Sequence, residues 1–122
     1  MDAKQKIKEC IKNKACELDL NSMNLSCLPE LPNFIKILKC ANNQITQLPE
    51  KLPNSLQKIF CNNNQITKLT GKLPDSLQII YCYNNQITKL RLRWTKHPQQ
   101  GCWSYQKSYQ IHYKKFIVLI IK

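Results

Sequence analysis

The pentamer Asn-Asn-Gln-Ile-Thr occurs three times in this 122-residue chain, beginning at Asn42, Asn63 and Asn84, with a spacing of 21 residues each time. A fixed period of that length constrains the fold more than any composition. One such unit is too short to bury a core alone, so each must stack on the next, which is the plan of a solenoid. The surrounding pattern reads L-x-x-L-x-L-x-x-N-x-L-x-x-L. It is filled by Ile35, Leu38, Cys40, Asn43, Ile45 and Leu48, then by Leu56, Ile59, Cys61, Asn64, Ile66 and Leu69, and again by Leu77, Ile80, Cys82, Asn85, Ile87 and Leu90. A degenerate first unit uses Ala15, Leu18, Leu20, Met23, Leu25 and Leu28 and is one residue shorter.

These motifs resemble the leucine-rich repeat family. The stretches Leu28-Pro29-Glu30-Leu31-Pro32 and Leu48-Pro49-Glu50-Lys51-Leu52-Pro53 look like the short, proline-bearing type seen in bacterial effectors and in large DNA viruses of amoebae. The third unit departs from it, with Thr70 and Gly71 where Pro and Glu are expected. The resemblance implies an α/β repeat solenoid, a short horseshoe with a concave parallel β-sheet. The convex side is expected to run extended or as 3₁₀ turns, because Pro49, Pro53 and Pro74 disfavour helix and central strand. The expected organisation is a capping helix over 1–14, repeats over 15–34, 35–55, 56–76 and 77–90, and a basic aromatic tail or irregular cap over 91–122.

Strand alternation assigns the faces. Residues i and i+2 share a side, so Leu38 and Cys40 point inward while Ile37, Lys39 and Ala41 point outward. The second Asn of each pentamer is expected inside, where its amide can satisfy both donors and acceptors of the turning backbone. Met23 holds that place in the first unit, so the Asn ladder is expected to begin at the second. At the N-terminus, Asp2 and Gln5 form a capping-box pattern. Ile7, Cys10, Ile11 and Ala15 then read as one apolar face of a helix covering the first repeat.

Charge is uneven. The net charge is +12, and residues 91–122 hold seven basic residues and no acid. Such a tail, with Trp94, Trp103, Tyr105, Tyr109 and Tyr113 interleaved, suits single-stranded nucleic acid or an anionic membrane. A truncation product, or a cap with Phe116–Ile121 as a final strand, is the favoured account of it, ahead of nucleic acid. The charged start and the absence of a long apolar run predict neither a secretory signal nor a membrane span, and hence an intracellular protein with free thiols.

No chemistry-bearing constellation is present. Cys40, Cys61 and Cys82 repeat at one inward position, but strands about 4.8 Å apart align thiols too linearly for one tetrahedral zinc; they read as small buried hydrophobes. His97 and His112 lie alone in the tail. Some effectors with similar repeats append a Cys-dependent ubiquitin-ligase domain, for which 32 residues are too few and Cys102 has no supporting groups. No catalytic residue, cofactor, metal or small-molecule substrate is expected. The concave face is more informative: Ile37, Lys39, Lys58, Phe60, Asn62, Ile79, Tyr81 and Tyr83 project from it, with aromatic character growing toward the C-terminal half. Aromatics concentrated on a surface are the make-up of an interface centre. The expected function is binding of a protein partner by a monomer, the basic tail offering nucleic-acid or membrane binding as the alternative.

Overall fold

The computed structural model describes residues 1–71, 73–92 and 118–120. One helix, α1 (Ala3–Asn13), precedes seven short strands: β1 (Glu17–Asp19), β2 (Ile37–Lys39), β3 (Lys58–Phe60), β4 (Lys68–Gly71), β5 (Ile79–Tyr81), β6 (Lys89–Leu92) and β7 (Val118–Ile120). β1, β2, β3 and β5 form a parallel sheet in that order, and β7 adds to β5 antiparallel. β4 and β6 make a second, two-stranded parallel sheet. Residues equivalent in the repeat lie side by side: Leu18, Leu38, Ile59 and Ile80 are in register across the first sheet. The shorter first unit is absorbed in its connection to the second, and the strand register is undisturbed.

The core is a stack of identical layers. Leu38, Cys40, Ile59, Cys61, Ile80 and Cys82 all have no exposed surface, and Ile35, Leu56, Ile45 and Ile66 close the same layers from the turns. Each turn depends on both asparagines of the pentamer, for different reasons. Asn42, Asn63 and Asn84 adopt left-handed backbone with φ of 56°, 55° and 52°, which asparagine tolerates better than most residues. Their side chains also join across the surface, Asn84 to Asn63 and Asn63 to Asn42, at 2.7 Å each. Asn43, Asn64 and Asn85 are buried. The Asn43 Oδ1 accepts the Met23 and Leu25 N–H groups, and its Nδ2 donates to the Leu20, Cys40 and Ala41 carbonyls. Each ladder Asn therefore serves the turn of the preceding unit. The first unit has no preceding turn to serve, so Met23 can stand there.

A second ladder runs on the opposite edge of the layers. The Ser55 hydroxyl donates to the Ile35 carbonyl at 2.6 Å, and Ser76 donates to Leu56 at 2.7 Å. Its signal is the repeat Leu-Pro-x-Ser-Leu-Gln at 52–57 and 73–78. In both copies the Leu N–H closes a turn onto the Pro carbonyl, at 3.1 and 3.0 Å.

The convex side runs extended, with turns, and carries no 3₁₀ segment among the described residues. The second sheet follows from the departure at Thr70. Leu69 and Leu90 pair, as do Thr70 and Arg91. The same position one unit earlier is Pro49, which has no N–H to donate, so the preceding unit contributes only an isolated bridge, Gln47 to Lys68. β6 continues through Leu92, two residues beyond the boundary expected at Leu90.

Helix α1 covers the first layer. Asp2 caps it, its carboxylate accepting the Gln5 N–H at 2.8 Å while the Gln5 side chain accepts the Asp2 N–H. Cys10 is buried and Ala3, Ile7 and Ala15 pack against the core. Ile11 does not share that face, being 51% exposed. The helix docks along Ala3, Ile7 and Cys10, and one further residue, a 100° rotation, swings Ile11 toward solvent. Among the described residues no helix is long and apolar enough to cross a membrane.

Candidate functional site

Strand register places the outward side chains in rows. One row reads Glu17, Ile37, Lys58 and Ile79, and the next Asp19, Lys39, Phe60 and Tyr81. Asn21, Ala41, Asn62 and Tyr83 stand at the equivalent positions two residues further on. All eight candidate residues, from Ile37 to Tyr83, are half-buried, which reflects side-by-side packing on a flat array of strands. Ala41, expected outward, retains only 6% exposure, because a methyl group cannot rise above its larger neighbours.

The face divides into two halves of different chemistry. At the N-terminal half the charges satisfy each other. Lys39 Nζ lies 2.7 Å from the Glu17 carboxylate, a diagonal pairing across β1 and β2. The hydrogen bond to Glu17 raises the Lys39 pKa above its ordinary value. Asp19, directly opposite Lys39, instead accepts the Asn21 N–H at 2.9 Å. Asn21 in turn accepts the Ala41 N–H at 2.8 Å. At the C-terminal half the Phe60 and Tyr81 rings stack, with centroids 4.8 Å apart and planes 9° from parallel. This stack means that the aromatics also brace neighbouring strands, a structural task that alternation does not reveal. Lys58 sits between Ile37 and Ile79 and forms no ion pair among the described residues.

The thiol ladder is inert by construction. Burial pushes Cys40 and Cys82 up to about 12. Cys61 is raised well above 9.0, first by burial and then by its two thiol neighbours. Cys10, Cys16, Cys27, Cys40 and Cys61 are free thiols, and no group of three potential metal ligands occurs among the described residues. A thiol reagent at neutral pH is expected to label exposed Cys16 and Cys27 while sparing Cys40, Cys61 and Cys82 until the protein unfolds. Raised folded-state pKa values also set a sign. The thiols favour the folded state fully below pH 9, and that contribution is lost as pH rises from 9 toward 12. Melting temperature should accordingly fall on alkaline titration above pH 9, and a flat profile would contradict the burial. Trp94, His97, Cys102, Trp103, Tyr105, Tyr109, His112 and Tyr113 lie outside the described residues.

No family model matches the chain. Sequence comparison finds the E3 ubiquitin-protein ligase ipaH9.8 of Shigella flexneri, 46% identical over 50 residues, which is 40% of this chain. The match spans 9% of the ligase's length. Structural comparison finds YopM from Yersinia enterocolitica, with a TM-score of 0.68 and 36% identity over 73% of this chain and 19% of that one. YopM of Yersinia pestis, a leucine-rich effector protein, gives 0.66 and 38% over 73% of this chain and 25% of its own. The sequence motifs, the stacked layers and these likenesses agree: the chain is a leucine-rich-repeat solenoid of the type found in bacterial effectors.

Proposed function

We propose that the protein is a non-enzymatic interaction module that binds a protein partner through the concave face of its sheet, over Ile37, Lys39, Lys58, Phe60, Asn62, Ile79, Tyr81 and Tyr83. The observation that carries this reading is the two-part face: a self-paired polar half beside a half in which stacked aromatics flank Lys58. Tyrosines in such a setting supply large contact area at small cost in rotamer entropy, and they dominate interface energetics. The ligase activity of the Shigella relative belongs to a protein of which this chain matches 9%.

The test is capture of a partner from cell extract by immobilised protein, followed by paired substitutions. Tyr83→Ala, on the concave face, should weaken capture severalfold. Glu50→Ala, on the convex side, should leave it unchanged. Binding that ignores Tyr83 but disappears on deleting residues 93–117 would move the function to the basic C-terminal region.

A further inference from the structure

Among the described outward residues of the four parallel strands, Lys58 is the one basic side chain without an ion pair. Glu17 and Lys39 neutralise each other at 2.7 Å, and the Asp19 carboxylate turns back to the Asn21 N–H. Lys58 is different. Its row neighbours are Ile37 and Ile79, and the next outward residue on its own strand is Phe60, stacked on Tyr81. A partner covering the Phe60–Tyr81 stack must come down on Lys58 as well. Removing that ammonium from water beside apolar groups is unfavourable unless an opposite charge replaces the lost hydration.

We infer that the segment bound by this face is an acidic stretch of protein, which sets an Asp or Glu carboxylate against the Lys58 ammonium and a large apolar or aromatic side chain against the Phe60–Tyr81 stack. The inference rests on the concave face being the partner-binding surface. Spacing refines it. Lys58 and Phe60 are two residues apart on β3, about 7 Å along the strand. The same separation divides residues i and i+2 of an extended chain. The acid and the apolar residue of the partner are therefore two apart in an extended segment lying along the strands. The net charge of +12 draws acidic segments toward the molecule before contact. Nucleic acid fits the face less well: a phosphate backbone would meet Glu17 and Asp19 with Lys58 as the single unpaired cation among the outward residues of the four parallel strands, where such backbones are held by several cations.

The experiment is selection of a phage-displayed random peptide library on the immobilised full chain, followed by anisotropy titration of the enriched peptides. Enrichment of Asp or Glu two residues from Trp, Tyr, Phe or Leu is expected. Lys58→Glu should weaken the selected peptide about tenfold or more. A peptide with Lys in place of its acid should regain affinity for Lys58→Glu, which no folding defect can mimic. Selected peptides that lack acids, or that bind Lys58→Glu unchanged while Tyr81→Ala still abolishes binding, would overturn the acidic partner and leave the concave face standing. Peptides indifferent to both substitutions would overturn the binding face itself. Oligothymidine displacing the peptide in a Lys58-dependent manner would overturn the protein partner in favour of nucleic acid.

Discussion

Replacing Asn64 by Leu should destabilise the protein by about 3 kcal/mol, a large share of the ~5–15 kcal/mol that holds a domain folded. The side chain accepts the Ile45 N–H and donates to the Cys40, Cys61 and Asn62 carbonyls. Not all four groups lose everything. Cys40 keeps the amide of Asn43 and Cys61 keeps that of Asn85. Asn62 keeps the backbone N–H of Asn42 at 3.1 Å. The Ile45 N–H has no second acceptor in this set, and an orphaned buried donor costs about 1–3 kcal/mol. Three weakened carbonyl contacts supply the remainder. Gln65, next in the chain, is exposed, and Gln65→Leu should shift stability by no more than about 0.5 kcal/mol. Thermal melts of the two variants decide the matter: a drop of more than about 10 °C for Asn64→Leu is expected, with Gln65→Leu close to the parent protein. Equal shifts would mean that the register of the turn is wrong.

Tyr81→Ala should weaken partner binding by about 30-fold or more, since truncating a central interface tyrosine costs around 2 kcal/mol. It should also cost some stability. The ring stacks on Phe60 at 4.8 Å, and aromatic pairs contribute about 0.5–1.5 kcal/mol beyond their buried area. The two effects separate with Tyr81→Phe, which keeps the stack and removes only the hydroxyl. That variant should melt with the parent and retain most of the affinity. If Tyr81→Ala lost only stability and bound as well as Tyr81→Phe at a temperature where both are folded, the aromatic pair would be bracing alone.

The layered core and the outward rows were legible from the sequence because a 21-residue period and strand alternation together determine register. The inner Asn ladder was legible for the same reason. What escaped was chemistry between repeats that pattern alone does not order. The first Asn of each pentamer is needed for its left-handed backbone, with φ of 56° at Asn42, yet the string shows two asparagines without saying which does what. The Ser55 and Ser76 ladder lies within the repeated Leu-Pro-x-Ser-Leu-Gln, where the apolar pattern marks the leucines and says nothing of the serine between them. Ile11 was misplaced because a short helix offers few turns from which to fix the centre of its buried stripe. On the candidate face, simple opposition would pair Asp19 with Lys39. The local bond from Asp19 to the Asn21 N–H competes successfully, and Lys39 reaches diagonally to Glu17 instead. That substitution of partners leaves Glu17 and Lys39 paired at 2.7 Å and Lys58 without an ion pair among the described residues.

The central claim, that a protein partner is held on the concave face, is tested most directly by hydroxyl-radical footprinting of the protein alone and with its captured partner. Phe60, Tyr81 and Tyr83 should lose reactivity together on binding, while Leu48 and Leu52 on the convex side keep theirs. Unchanged reactivity at Phe60, Tyr81 and Tyr83, with protection confined to the convex leucines or to residues 93–117, would contradict it.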